Sequence, residues 1–149
     1  MKPTASIFTI GFTRTSAENF FGRLKTAKVK KVIDVRLHNT SQLAGFAKAD
    51  DLAWFLHEIG SIAYEYAPLL APTDDILKLA RSGKPDWTAF EKQFRALMAK
   101  RKIERELAPA ALDGACLLCS EDKPHHCHRR IVCDYLNEKW DGALKVMHL

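Results

Sequence analysis

No stretch of this chain approaches the roughly 18–20 continuous apolar residues needed to cross a bilayer. The opening, Met1-Lys2-Pro3-Thr4-Ala5-Ser6, lacks the apolar core of a secretory signal. A cytoplasmic protein with no membrane partner is therefore expected, and the sequon Asn39-Thr40-Ser41 carries no meaning without secretion. There is no phosphate loop with Gly-Lys-Ser/Thr, no three-glycine dinucleotide turn and no nucleophile-elbow serine. Cys119 has no arginine at the spacing of a thiol-phosphatase cradle. The basic runs Lys28-Val29-Lys30-Lys31 and Lys100-Arg101-Lys102 lack the interleaved aromatics of a base-stacking platform, so they read as solvated faces. Cysteines number only 4, and in a reducing compartment they are expected to be thiols, metal ligands or catalytic groups rather than bridges.

What is there is an ordinary globular composition. The 149 residues are 47% hydrophobic and 28% charged, which excludes disordered, collagen-like and coiled-coil classes. A chain of this length suits one domain and can bury a core without a staple. The net charge of +5 leans toward acidic partners such as phosphates, nucleotides or nucleic acid.

Ala5 to Ile10 is a short apolar run closed by Gly11, a buried first strand. Ser16 caps a helix carrying Phe20, Phe21, Leu24 and Ala27 on one face. Lys31 to Val35 is a second strand, followed by a long polar loop from Arg36 to Ala49. Asp50 or Asp51 then caps a helix with Leu52, Phe55, Leu56 and Ile59, stopped by Gly60 at the C′ position. Ser61 to Tyr66 is a third strand. Residues 73–107 are mainly helical, broken at Gly83-Lys84-Pro85 and restarted by Asp86. Ala115 to Cys119 is a fourth strand, His126 to Lys139 a last long helix, and Ala143 to His148 a fifth strand. This alternation predicts one α/β domain over residues 1–149. It should be three-layered and Rossmann-like, with a mostly parallel five-stranded sheet and helices on both faces. Sites in such sheets lie beyond the carboxyl ends of the strands.

The densest chemistry lies at one such end, in Leu117-Leu118-Cys119-Ser120-Glu121 running to Cys127-His128-Arg129-Arg130. A helix N-terminus offers free N–H groups and a partial positive charge. Two arginines there oppose the dipole unless an anion sits between them. The same field would make Cys127 a better nucleophile or ligand. Against this stands the plainer reading of Cys119 as a small core residue and the basic groups as solvated. Asp34 and Arg36, two apart at a strand end, leave the same face. They either tie the following loop as an ion pair, or Arg36 clamps an anion with Asp34 orienting it. Cys116 and Cys119 point to opposite sides of a strand, so Cys116 reads as core, as does Cys133 inside the last helix. A metal site from Cys119, Cys127, His128 and a carboxylate stays geometrically open.

The pattern resembles the family called domain of unknown function 488. The residues that carry it are Thr9-Ile10-Gly11 with Thr13, Asp34-Val35-Arg36 with Ser41 and Phe46, and Gly60-x-x-x-Tyr64. It closes on Leu118-Cys119-x-Glu121-x-x-Pro124-x-x-Cys127-His128-Arg129. Where the family usually has Leu-Gly-Gly, this chain has Leu70-Ala71-Pro72. The resemblance implies a single α/β domain with these residues gathered at one site, and no established reaction.

The expected function is a transferase or hydrolase acting on a phosphate-bearing substrate, a nucleotide or nucleic acid. Glu121 is the candidate general acid or base, Cys119 or Cys127 the nucleophile, and His128 its partner. Thr13, Asp34, Arg36, Ser41, Tyr64 and Arg129 are the candidate substrate-binding residues. No cofactor and no metal is assigned. A non-catalytic module binding nucleic acid or another acidic partner is the second reading, and a metal-dependent hydrolase the third.

Overall fold

The computed structural model describes residues 4–39, 45–81, 83–120 and 127–149. Glu121 and Ser41 lie outside the described residues. Among these residues five strands form one sheet: β1 (Ala5–Ile10), β2 (Lys31–Asp34), β3 (Ala63–Tyr66), β4 (Ala115–Leu118) and β5 (Leu144–His148). Their order is β3-β2-β4-β1-β5 and every pairing is parallel. The expected α/β layering is therefore present.

Among the described residues seven α-helices join the strands: α1 (Ala17–Thr26), α2 (Ala49–Gly60), α3 (Asp74–Arg81), α4 (Trp87–Arg101), α5 (Ile103–Glu106), α6 (Pro109–Leu112) and α7 (His128–Lys139). The strands alternate sides cleanly. Phe8, Ile10, Val32, Cys116 and Leu118 pack with Phe20, Phe21 and Leu24 of α1 and Leu52 and Leu56 of α2. Ile7, Ile33 and Leu117 pack on the other face with Phe90, Phe94 and Met98 of α4 and Ile131, Val132 and Leu136 of α7. The chain steps from β1 to β2 to β3 in one direction with its helices on the first face. It returns through β4 to β5 in the other direction with its helices on the second. Reversing direction while changing face keeps one crossover hand throughout.

Local signals account for most boundaries. The Ser16 hydroxyl accepts from the Asn19 amide at 3.1 Å, and the Asp86 carboxylate accepts from Ala89 at 2.9 Å, capping α1 and α4. At α2 the expectation fails at both ends. Lys48 is the cap residue without a side-chain bond, and the Ala49 amide donates instead to the Asn39 carbonyl at 2.8 Å. Asp50 and Asp51 sit in the first turn, where they suit the dipole. Gly60 is the last helical residue, and it is Ser61 that turns left-handed, at φ 51°. A Cβ on Gly60 would meet the tip of the Ile62 side chain at 2.9 Å, so this glycine serves close packing rather than a left-handed φ. Gly114, at φ 79°, does need its freedom to enter β4.

An ion-pair network clips α4 to α7. Arg130 holds Glu91 at 3.0 Å and Asp134 at 2.8 Å, and Arg95 holds Glu91 and Glu138 at 3.0 Å each. Hydrogen bonding from Arg130 leads the effects that hold Glu91 below the usual carboxylate range. A lowered folded-state pKa gives stability that is present above the unfolded value near pH ~4.3 and lost as pH falls through the folded one. Glu91→Gln should therefore lower the melting temperature at pH 7 by roughly 3 °C and change it little at pH ~3, read by thermal denaturation at both values.

Candidate functional site

At the centre of the sheet, β4 sends its chain to the α7 face, while its neighbours β1 and β2 send theirs to the α1/α2 face. The diverging connections leave a crevice beyond the carboxyl end of β4, the switch-point position. Cys119 and Ser120 sit there. The Cys119 amide donates to the Ile10 carbonyl at 3.2 Å, and the Ser120 carbonyl accepts from the amides of Phe12 and Thr13 at 3.2 and 3.0 Å. The Thr13 hydroxyl adds a bond to the same carbonyl at 2.6 Å, so Thr13 ties the loop after β1 to the loop after β4.

Asp34 and Arg36 form the buried ion pair that their spacing suggests. Arg36 donates Nε to Asp34 Oδ1 and Nη2 to Oδ2, each at 2.8 Å, and both residues are at most 2% exposed. The same carboxylate accepts from the Tyr64 hydroxyl at 2.6 Å and from Asn39 at 3.3 Å. The Arg36 guanidinium lies 5.2 Å over the Phe12 ring. The fork that could have clamped an anion is thus spent on Asp34, and only Nη1 has no bond among the described residues. Burial first, then the hydrogen bond and charge of Asp34, push the Tyr64 hydroxyl well above the ordinary tyrosine value.

Cys127 is the N-cap of α7, and His128 and Arg129 open its first turn. His128 Nε2 donates to the Val35 carbonyl at 2.6 Å, pinning the helix N-terminus to the end of β2. The ring stacks edge-on against Phe94, 5.6 Å between centroids. Burial pulls its pKa down to about 4, so the imidazole is neutral near pH 7. Arg129 is fully buried and donates Nη1 to Cys119 Sγ at 3.1 Å. Arg130 does not join it. The anion expected between two arginines loses one of them, because Arg130 pairs with Glu91 of α4 and with Asp134 of its own helix.

The four cysteines divide. Cys116 and Cys133 are free and buried in opposite halves of the core, with burial driving both thiol pKa values up. Cys119 and Cys127 instead meet as a disulfide pair, which corrects the expectation that no cysteine bridges. The reason is tertiary: the end of β4 and the cap of α7, at a sequence separation of 8, come together in space. The donor atoms of Cys119, Cys127 and His128 all lie within 4.8 Å of one another, the spacing of a metal-ligand set.

These three residues and Ser120 form the floor of a 240 Å³ pocket whose walls are Leu77, Ala80, Arg81, Trp87 and Phe90 from α3 and α4. Asp34, Arg36, Tyr64 and Arg129 do not line this pocket. Arg129 reaches its floor through Cys119 Sγ, whereas Asp34, Arg36 and Tyr64 bond to one another, with Arg36 over Phe12 on the α1/α2 face. Sequence reasoning missed Asn39, Phe12, Arg81 and Trp87. Asn39 stood beside the Asp34–Arg36 motif, but nothing local marked the helix residues as site residues. The Leu70-Ala71-Pro72 segment has its backbone occupied: Arg101 Nη1 donates to the carbonyls of Leu69 and Ala71 at 2.8 and 2.7 Å.

The family model described as Domain of unknown function DUF488 matches residues 16–136. It covers most of the chain, so the chain belongs to that family. No curated protein and no solved structure matches it. Among the described residues, no helix is long and apolar enough to cross a membrane.

Proposed function

We propose that this DUF488 domain binds a small phosphate-bearing molecule, such as a nucleotide, in the pocket over Cys119, Cys127 and His128, and acts on it as a transferase or hydrolase. The observation that carries the reading is the composition of the pocket. A sulfur–imidazole floor lies at the sheet's switch point, an aromatic wall is supplied by Trp87 and Phe90, and a cation, Arg81, is part of the lining. An aromatic wall beside a positive rim suits a planar group carrying an anion. Buried Arg129 adds positive potential behind the floor. The sulfur–imidazole group supplies the chemistry. Glu121 is assigned acid–base work by its place in the motif alone.

The test is a thermal-shift series with inorganic phosphate and nucleoside monophosphates on the wild type and on Arg81→Gln, an exposed position whose loss leaves the core intact. A ligand at about one hundred times its dissociation constant stabilises by about 2.7 kcal/mol, which is a rise of roughly 5–10 °C here. The wild type should show that rise, and Arg81→Gln should need roughly tenfold more ligand. An unchanged melting temperature with every compound removes the reading. Binding only to polynucleotides, with a steep log–log salt slope, replaces it with the non-catalytic nucleic-acid module.

A further inference from the structure

We propose that the reduced Cys119–Cys127 pair and His128 form a three-ligand site for a zinc-class divalent ion, with the fourth coordination position open to the pocket. The proposal rests on the functional reading of that pocket and gives its floor a chemical form: the two sulfurs ligate rather than attack.

Four independent features of geometry support it. The first is the donor set. Two sulfurs and an imidazole nitrogen within 4.8 Å of one another can share one ion. A tetrahedral zinc with bonds of about 2.0–2.3 Å holds its donors about 3.5–3.8 Å apart, a spacing the two sulfurs take up once the bond between them is reduced. The second is the backbone span. The Cα atoms of Cys119 and Cys127 are 7.3 Å apart. Disulfides usually hold theirs at about 4.4–6.8 Å, so an ion between the sulfurs suits the backbone better than a direct bond. The third is the histidine. A carbonyl only accepts, so the 2.6 Å contact to Val35 places the ring proton on Nε2. That leaves the Nδ1 lone pair for a metal, and a backbone carbonyl on the opposite nitrogen is the usual support of a metal-bound histidine. The fourth is access. Cys119 is 1% and Cys127 5% exposed, too little for a sulfur that must meet a substrate directly. Ligands need no such exposure.

The surroundings fit the charge. Two thiolates neutralise a divalent ion, and the bond from Arg129 to Cys119 Sγ supports the sulfur that lies deeper in the protein. Three protein ligands and one open position are the arrangement of catalytic rather than structural zinc. Here the open position faces Ser120, Arg81 and Trp87, where a phosphoryl oxygen or a water can approach the ion. A bound ion would polarise that oxygen or lower the pKa of that water.

The experiment uses the full chain, reduced and freed of metal, titrated with cobalt(II) as a spectroscopic stand-in for zinc. The expected result is one equivalent of cobalt per chain, a sulfur-to-cobalt charge-transfer band and the intense visible bands of tetrahedral cobalt, all displaced by zinc. Cys127→Ser should lose roughly half of the charge-transfer intensity, because one of two sulfurs is gone. Cys133→Ser, a cysteine away from the cluster, should keep it. Should Cys127→Ser fold poorly, the oxidised wild type serves instead: with the pair bridged, uptake should be lost and then return on reduction. Reduced wild type that takes up less than a tenth of an equivalent, or shows tetrahedral bands without a sulfur band, overturns the proposal. Adding inorganic phosphate to the cobalt form separates the two readings. Cobalt bands that phosphate leaves untouched, in a protein no phosphate compound stabilises, uphold the metal site and remove the phosphate-binding function. A protein stabilised by nucleotide that takes up no cobalt keeps the function and loses the metal.

Discussion

Asp34→Ala will cost about 3–5 kcal/mol of stability, because it leaves the Arg36 guanidinium buried without its counter-charge. Arg36 is only 2% exposed and donates two side-chain bonds and its own amide to that carboxylate, so it has no route to water without unfolding the strand end. The same change takes the acceptor from the Tyr64 hydroxyl and from Asn39. Chemical denaturation of Asp34→Ala, Arg36→Met and the double variant is the measurement. Removing both charges should be far less harmful than the sum of the single losses, with a coupling of about 1–3 kcal/mol. Additive losses would mean that the pair is not the unit it appears as in the structure. Tyr64 supplies a second readout. Without Asp34 its ionisation, followed by ultraviolet absorbance, should fall toward the ordinary tyrosine value while staying above it, since burial is the larger cause of the upward shift.

The second large effect is expected at Phe94, fully buried on α4 between Phe90 and the edge of the His128 ring. Phe94→Ala should cost about 3–5 kcal/mol, from lost burial and from the cavity left where α4 meets α7. The consequence reaches the site. Without the phenyl ring, His128 keeps its Val35 bond but loses the ring that packs against it, so ligand-induced stabilisation should fall along with the melting temperature. Phe94→Leu, which refills most of the volume, should cost roughly 1 kcal/mol and retain ligand response. Equal ligand response in the alanine variant and the wild type would separate Phe94 from the site and leave it a core residue only.

Much of the fold was legible because its signals are local. Short β-branched apolar runs alternating with amphipathic segments mark strands buried on both faces, and that alternation alone implies parallel pairing. The Asp34–Arg36 pair was legible for the same reason: period-two spacing at a strand end leaves few partners for either charge. Cys116 and Cys133 were assigned to the core correctly from their neighbours. The errors also have local causes. At α2 a glycine after an apolar helix face suggested a left-handed stop, but Gly60 stays helical, close to Ile62, and the turn falls at Ser61. At α7 two adjacent arginines looked like one anion clamp. Adjacent helix positions point about 100° apart, so one turned into the core and the other out to α4.

The sequence by itself determined the layered α/β class, the single sheet of five strands and the strand ends where polar chemistry collects, since each depends on residues close in the chain. Only the tertiary structure decided that Cys119, Cys127 and His128 share one floor, that α3 and α4 wall it with Arg81 and Trp87, and that Arg36 is committed to Asp34. Those outcomes depend on strand order and on which face each crossover takes. Strand order is set by the packing of whole elements, which no local pattern of residues encodes.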